Sequence, residues 1–196
     1  MKYVVSRYNH DIDWLRDYTN DVVLYDRSPI PAPNSRKMAN VGSDIYDKFS
    51  FIIDNYGSLP EVAVYTKANL FKYITKEEFD QIKDNKVFTP LLTQHHKTYS
   101  DDKGIVCYYK DEMYYERNDK WFLTAHPARS LELYDILGIA DMEYIPFAPG
   151  SNYILPKENI LNHSKEFYEK LRSYLEYTIY PGEAQIMERG LYTLWR

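Results

Sequence analysis

KYVVSRYNHDIDW, residues 2 to 14, is the stretch on which the prediction of both fold and site depends. Its β-branched and aromatic residues up to position 7 predict a buried strand, and a polar cluster follows at once. Open α/β sheets bind ligands beyond the carboxyl ends of their strands. We therefore expect a binding site at this edge, lined by Ser6, Arg7, Tyr8, Asn9 and Asp11.

Two other short runs, at 21–25 and 61–67, share the β-branched and aromatic character of the first. We expect the three runs to be neighbours in a parallel sheet. Three prolines between positions 28 and 38 exclude regular structure there, so Arg36 is expected on a loop. Apolar residues then repeat at helical spacing from Ile45 to Tyr56, which predicts a helix after the loop.

The middle of the chain has a different pattern. Runs at 105–109, 113–117 and 121–126 are separated by polar turns, and this spacing predicts an antiparallel meander. A last strand with its turn is expected at 144–155. The fold class is therefore predicted as α/β: a mixed, mainly parallel sheet flanked by helices, with an antiparallel meander inserted, in one domain spanning 1–196.

Further helices are expected on the faces of this sheet. Thr75 and Glu78 have the spacing of a capping box ahead of apolar residues. An amphipathic helical region spans 160–175. Pro181 and Gly182 mark the start of a final helix, since proline is favoured in the first helical turn.

The composition narrows the class of protein. The 24 basic and 29 acidic residues give a net charge of −5, so no general attraction to nucleic acid or to an anionic membrane is expected. No stretch approaches the roughly 20 apolar residues of a membrane span, and the N-terminus lacks an apolar signal core, so we expect a soluble, cytoplasmic protein. The single cysteine, Cys107, excludes an internal disulfide and is expected to be a core thiol.

The sequence NVGSD after the proline-rich loop supplies a second group of candidates. Gly42 permits a close approach of the backbone, and the amides of a helix N-terminus follow, which suits a ribose or a diphosphate. The same spacing is also that of an ordinary turn and helix cap. On the functional interpretation, Asn40 and Asp44 belong to the site, and so do Lys67 and Asn69, which follow the third strand to the same edge.

Two other clusters carry chemically useful side chains. His95 and His96 are adjacent, so on an extended segment they point to opposite faces and do not share one metal ion, although either one can donate a hydrogen bond to a substrate. Glu183, Glu188 and Arg189 lie on the final helix. The two glutamates are five residues apart and share a face imperfectly, so solvated charge is the alternative interpretation.

Several of these motifs together resemble a known family. The tyrosine, asparagine and aspartate of YNHDIDW (8–14), the NVGSD element (40–44) and the helix end NYGSLP (55–60) are similar to motifs of a widespread family of poorly characterised proteins allied to GT-A glycosyltransferases. The segment ILPKENILNHSKEFYEKL (154–171) and the Glu-Arg pair at 188–189 are similar to the closing elements of that family. The resemblance covers most of the chain, and the meander is its least covered part.

The resemblance implies transfer of a sugar from a nucleoside-diphosphate sugar to a carbohydrate or another hydroxyl acceptor. Such a reaction needs a pocket for base and ribose, positive charge or a metal at the diphosphate, and a carboxylate near the acceptor. The candidates are Ser6, Arg7, Tyr8 and Asn40 for the nucleoside, Arg36, Lys67 and Arg189 for the diphosphate, Gly150, Ser151, Asn152, His95 and His96 for the acceptor, and Glu183 or Glu188 as base.

The chain departs from the family pattern at two points. His10 stands where the family usually has a glutamate. GT-A enzymes commonly hold Mn²⁺ or Mg²⁺ through an Asp-x-Asp at a strand end in the middle of the chain. Here that string occurs as Asp11-Ile12-Asp13, after the first strand, so the metal ligands stay unknown and metal dependence stays open.

Two other classes of function remain. A GT-A-like module that binds a nucleotide or a carbohydrate without catalysis would explain the missing central Asp-x-Asp, since a fold can outlast its activity. A metal-dependent hydrolase would use His95, His96 or His126 together with aspartates.

Overall fold

The computed structural model describes residues 1–93, 98–120, 123 and 128–196. No helix in these residues has both the length and the apolar character needed to cross a membrane. The strands are β1 (Lys2–Arg7), β2 (Val22–Asp26), β3 (Arg36–Lys37), β4 (Val62–Lys67), β5 (Thr89–Pro90), β6 (Tyr99–Asp101), β7 (Gly104–Lys110), β8 (Met113–Arg117), β9 (Tyr144–Phe147) and β10 (Tyr153–Pro156). The helices are α1 (Ser43–Asp54), α2 (Lys76–Ile82), α3 (Leu133–Ile136), α4 (Lys157–Leu161), α5 (Lys165–Ser173) and α6 (Gly182–Trp195), and short 3₁₀ helices cover Asp13–Asp17, Tyr56–Ser58 and Leu70–Lys72.

The main sheet is mixed, with a parallel centre. Its order is β3-β2-β1-β4-β10-β5. Strand β1 pairs in parallel with β2 on one side and with β4 on the other, as the sequence predicts. Strand β10 runs antiparallel to β4 and carries β5 at the edge. The predicted α/β class with a mainly parallel sheet is confirmed at this level.

The two faces of the main sheet are covered by different helices. One face packs against α1, α5 and α6, which contribute residues such as Phe49, Leu171 and Leu191. The other face packs against α2 and a 3₁₀ helix, which contribute Phe79 and Leu70. The sheet is therefore buried on both sides, as a parallel sheet requires.

Strand alternation decides which polar side chains reach the α1 side. Val4 belongs to the core cluster on that side, whereas Val5 belongs to the cluster on the opposite side. Successive side chains of a strand point to opposite faces, so Ser6 points toward α1 again. The same alternation in β4 directs Lys67 to the α1 side, since Tyr65 lies in the α1 cluster.

The antiparallel sheet has the order β6-β7-β8-β9. The predicted meander is confirmed for β7 and β8, which pair antiparallel. The third predicted run, 121–126, lies outside the described residues except for Leu123. On the side away from β7, strand β8 pairs with β9. Cys107 is buried in β7, as predicted.

Three predicted elements need correction. The proline-rich segment does contain regular structure, because Arg36–Lys37 pairs in parallel with β2. The predicted strand at 144–155 is two strands in different sheets, and positive φ angles at Gly150 (86°) and Ser151 (56°) turn the chain between them. The helical region at 160–175 divides into α4 and α5, because Ser164 begins a new helix by accepting a hydrogen bond from the Phe167 amide.

The capping box and the final helix are confirmed. The Thr75 hydroxyl accepts from the Glu78 amide, and the Glu78 carboxylate accepts from the Thr75 amide, at the start of α2. Helix α6 begins directly after Pro181. These elements depend on local sequence signals, which explains why they are predicted correctly.

The start of α1 is held by a segment from late in the chain. Gly42 precedes α1 with a φ of 64°, and its amide donates to the Thr178 carbonyl at 2.9 Å. A Cβ atom at position 42 would lie 2.6 Å from the Leu175 Cβ atom. Glycine is therefore required here both for its backbone conformation and for the close approach of the later segment.

We expect Gly42→Ala to lower the free energy of unfolding by about 2 to 4 kcal/mol, because it combines a left-handed backbone conformation with a steric clash. Urea denaturation would measure the loss. Gly57→Ala is the matched control, since a Cβ atom there meets nothing within 4 Å, and it should change stability by less than about 1 kcal/mol. Equal effects of the two substitutions would contradict the packing described for Gly42.

Candidate binding cleft

A cleft of about 210 Å³ opens at the carboxyl ends of β1, β2 and β4. The carboxyl ends of parallel strands meet at one edge of a sheet, and the registers place Ser6 beside both Tyr25 and Lys67. The lining residues are Ser6, Arg7, Tyr8, His10, Arg27, Asn40, Ser43, Asp44, Lys67, Asn69, Tyr73, Ile179 and Tyr180.

The cleft brings together the polar end of β1 and the NVGSD bend, which are more than 30 positions apart in the sequence. The sequence-predicted site residues that line it are Ser6, Arg7, Tyr8, Asn40, Asp44, Lys67 and Asn69.

The floor of the cleft is a buried ionic cluster on the first turns of α1. Asp44, Asp47 and Lys48 have the spacing i, i+3, i+4, so they share one face of the helix. The Asp44 carboxylate pairs with the Lys48 ammonium group, and its Oδ1 atom lies 3.1 Å from Lys67 Nζ. The Ser151 hydroxyl also donates to Asp44. One carboxylate thus joins α1, β4 and the turn before β10.

The cluster keeps Asp44 ionised. Burial opposes its charged form, but the Lys48 and Lys67 ammonium groups outweigh burial and hold the pKa of Asp44 well below its usual value. Burial lowers the pKa of Lys48, and Asp44 opposes that shift. Burial also acts to lower the pKa of Lys67, but the carboxylates of Asp44 and Glu188 raise it overall. Lys67 therefore carries a positive charge at the cleft.

A second ion pair joins α1 to the end of β2. Arg27 Nη2 donates to Asp47 Oδ1 at 2.7 Å, and both side chains are almost completely buried. Burial raises the pKa of Asp47 to about 6, although Arg27 opposes the shift. Arg27 also lines the cleft.

The third cation, Arg7, is held by several groups. Its Nη1 atom donates to Asp26 Oδ2 at 2.6 Å and to the Ser28 hydroxyl at 3.0 Å, and its Nε atom donates to the His10 carbonyl. Burial opposes ionisation of Asp26, but the Ala32 amide, other hydrogen bonds and Arg7 keep its pKa below the usual value. This pair is therefore a fixed, charged support of the polar loop after β1.

One wall of the cleft is aromatic and apolar. Tyr8 is 47% exposed and Tyr180 is 62% exposed, and Ile179 lies beside them in the lining. The Lys67 ammonium group lies 5.4 Å from the centre of the Tyr73 ring. The cleft therefore offers cations at its floor and planar rings at its mouth, the two features that bind a phosphate and a ring system.

The predicted acceptor turn supports the cleft from below. Ser151 and Asn152 are fully buried, and the side-chain oxygen Oδ1 of Asn152 accepts from the Lys67 amide at 2.9 Å. The Gly150 amide donates to Glu188 Oε1 at 2.6 Å. Ser151 and Asn152 expose no surface to an acceptor, and they position Asp44 and Lys67 instead.

Two amides at the start of α1 are already used. The Gly42 amide donates to the Thr178 carbonyl, and the Ser43 amide donates to the Ile179 carbonyl at 3.2 Å. These two amides are therefore not available to a ribose or a diphosphate. Asn40 and Asp44 from the same bend still line the cleft.

Beyond Asn9, Gly42, Glu188 and the turn residues Gly150, Ser151 and Asn152, four predicted site residues lie outside the lining of the cleft. Asp11 is exposed and accepts from the Asp13 amide, and Arg36, on β3, donates to the Tyr25 hydroxyl of β2. Arg189 is paired with Glu116 at 2.7 Å, which ties α6 to β8. The fourth is a buried glutamate, Glu183, which accepts from the Arg129 amide and the Tyr177 hydroxyl.

The remaining predicted residues fall into two groups. Asn9 neighbours the cleft, has a φ of 56°, and its amide donates to the Ser28 hydroxyl. His95 and His96, and the hydrolase candidate His126, lie outside the described residues.

The Asp11-Ile12-Asp13 string does not form a cation site. Asp11 Oδ1 accepts from the Asp13 amide, and the Asp13 carboxylate faces Arg16 at 3.5 Å. The described parts of the chain contain no group of three or more His, Cys, Asp or Glu side chains arranged to hold a metal ion. The Asp-x-Asp string thus does not fit the Mn²⁺ or Mg²⁺ that the resemblance implies.

Several residues of the cleft, and of the buried ionic cluster beneath it, were not predicted from the sequence. Arg27 follows a strand, and Asp47 and Lys48 lie on α1 among apolar residues, where charged groups look like part of a solvated face. The spacing of Asp44, Asp47 and Lys48 at one end of a helix is the signal that identifies them. Ile179 and Tyr180 reach the cleft only through tertiary packing, and no local pattern identifies them.

Comparison of the chain with protein-family models, with curated proteins and with solved structures finds no match in any of the three. The functional conclusion therefore rests on the cleft itself.

Removal of the Asp44 carboxylate is expected to destabilise the fold. Asp44→Asn leaves Lys48 buried without its anion and should lower the free energy of unfolding by about 3 kcal/mol at neutral pH. Lys48→Met should cost less, because Asp44 keeps Lys67 as a partner. The loss can be measured by urea denaturation, with the exposed Asp54→Asn on the same helix as control, expected within about 0.5 kcal/mol of the parent protein.

The stability lost in Asp44→Asn should depend on pH. Asp44 has a lowered pKa in the folded protein, so its stabilisation is present above its unfolded value of 3.8 and is lost as the pH falls below it. The stability difference between parent protein and Asp44→Asn should therefore shrink in acid. A difference that stays constant from neutral pH into that range would contradict an ionised Asp44.

Proposed function

We propose that the protein is a glycosyltransferase with a GT-A-like fold, which transfers a sugar from a nucleoside-diphosphate sugar to a carbohydrate or another hydroxyl acceptor. The observation that carries the proposal is one cleft in which three cations, Arg7, Arg27 and Lys67, lie with exposed tyrosine rings at the carboxyl edge of a parallel sheet. The family resemblance of the sequence motifs supports the same function.

The proposal divides the donor between the two parts of the cleft. The nucleoside lies against Tyr8 and the polar groups of Ser6 and Asn40. The diphosphate faces Lys67 and the guanidinium groups, since ammonium and guanidinium groups bind phosphate oxygens strongly. Ionised Asp44 accepts a hydrogen bond from a ribose or sugar hydroxyl. Because these cations already carry carboxylate partners, the diphosphate binds by sharing or replacing those partners.

The proposed base is Glu188. Its side chain is 19% exposed, it is held by the Gly150 amide, and its charge raises the pKa of Lys67, which lines the cleft. A general base must reach the acceptor hydroxyl to remove its proton as the new bond forms. Glu183 is the weaker candidate, because it is fully buried with both carboxylate oxygens hydrogen bonded.

The donor site can be tested with a binding experiment. The melting temperature is measured with a panel of nucleoside diphosphates and their sugars, with and without Mn²⁺, because a ligand of the folded state raises it. Lys67→Met should weaken binding of a nucleoside diphosphate about tenfold and leave binding of the matching nucleoside nearly unchanged. Lys72→Met is the matched control, since Lys72 is exposed and lies close to the cleft in sequence but outside its lining.

The outcomes of this experiment separate the possible functions. No thermal shift with any nucleotide would overturn the proposal. A shift without transfer to any acceptor would favour a module that binds without catalysis. Bound metal without nucleotide binding, measured by elemental analysis of the purified protein, would favour a hydrolase.

The base can be tested with isosteric variants. Glu188→Gln keeps an oxygen for the Gly150 amide but cannot take up a proton, so the transfer rate should fall about a hundredfold or more while donor affinity is unchanged. Glu158→Gln, on the exposed side of α4, is the control. An unchanged rate in Glu188→Gln together with a large loss in Glu183→Gln would assign the role to Glu183.

A further inference from the structure

Arg27 binds its carboxylate partner in an unusual way. Both described hydrogen bonds from Arg27 to Asp47 go to the same oxygen, Oδ1, at 2.7 Å from Nη2 and 3.3 Å from Nε. The other oxygen, Oδ2, is buried and accepts no hydrogen bond of normal length from the described residues, and the Ser6 hydroxyl lies near enough to the carboxylate to lower its pKa. A bidentate pair would use both oxygens. Asp47 therefore compensates the charge of Arg27 through only half of its carboxylate.

An ionised oxygen without a donor is costly in a buried site, and protonation removes much of that cost. Burial raises the pKa of Asp47 to about 6, while Arg27 and the Ser6 hydroxyl act in the opposite direction. The negative charge of Asp44 adds to the rise. Four charged or titratable groups surround Asp47: Tyr25 in β2, Arg27 just after β2, and Asp44 and Lys48 in α1. From α5, Arg172 contacts α1 at Tyr46 and Ser50.

We infer that Arg27 binds the diphosphate of the ligand and that Asp47 takes up a proton when it does so. This inference rests on the proposed function, because it takes the anion in the cleft to be a diphosphate. An incoming diphosphate draws the guanidinium charge away from Asp47 and leaves the carboxylate buried with less compensation. That change favours the neutral acid, so binding of the anion and binding of the proton support each other.

Arg7 does not share this property. Its partner Asp26 receives hydrogen bonds from the Ser28 and Ala32 amides as well as from Arg7, so both carboxylate oxygens have donors. Asp26 therefore stays ionised, and the Arg7 pair is a fixed part of the wall. Of the two arginines, Arg27 is therefore the one whose binding of the diphosphate is coupled to proton uptake by its carboxylate partner.

Calorimetry on the wild-type protein tests the coupling between ligand binding and proton uptake. UDP-glucose, or the nucleotide sugar of the panel that gives the largest thermal shift, is the probe, because its diphosphate has no proton to lose in this range. Affinity should fall about tenfold between about pH 5.5 and about pH 7.5. Titrations near neutral pH in two buffers of different ionisation enthalpy should show net proton uptake on binding.

Three variants identify the group that takes up the proton. Asp47→Asn should bind with the same affinity at both pH values and without proton uptake. His10 also lines the cleft, and histidine changes charge in the same range, so His10→Gln must retain both effects. Asp54→Asn, exposed on the same helix, should behave as wild type.

The outcomes distinguish this inference from the proposed function. Binding of a nucleotide sugar with constant affinity and no proton uptake in the wild type would overturn the role of Asp47 and leave the proposed function standing. Loss of the pH dependence and of the proton uptake in His10→Gln would also overturn the role of Asp47. Failure of every nucleotide sugar to bind at any pH would overturn both. If Asp47→Asn does not fold, proton uptake that is present in the wild type and persists in His10→Gln still supports the role of Asp47, and its loss in His10→Gln still overturns that role.

Discussion

The Asp44 carboxylate, buried between Lys48 and Lys67, fixes how α1 meets the carboxyl edge of the sheet. Burial of an ion costs on the order of several kcal/mol, so such a cluster is stable only when each member has a partner. Ser151 donates to the same carboxylate and brings the turn before β10 to this point. The helix, the strand end and the turn that form the cleft therefore depend on one anion.

Local signals in the sequence predicted the parallel centre of the main sheet, α1, the capping box of α2 and the general position of the cleft. They failed where long-range packing decides the outcome. One strand with its turn is expected at 144–155, yet Gly150 and Ser151 turn the chain from one sheet into the other. Arg27 has no motif around it, and its role depends on a helix residue 20 positions later.

Charge balance is the feature that most constrains any ligand of this cleft. Lys67, Arg7 and Arg27 each have a carboxylate partner, so the site carries little excess charge despite its cations. A ligand anion must therefore exchange with an existing partner. Such exchange is selective, because an anion that cannot match the geometry of the displaced carboxylate gains little from binding.

The hydrogen bonds from Gly42 and Ser43 to Thr178 and Ile179 also affect the order of assembly during synthesis. The strands that carry the polar groups of the cleft are complete by residue 67, yet Ile179 and Tyr180 are translated more than 100 residues later. A nascent chain that has formed only the first half of the main sheet lacks one wall of the cleft. The cleft is therefore completed only after residues 179 and 180 have been translated and have packed against the start of α1.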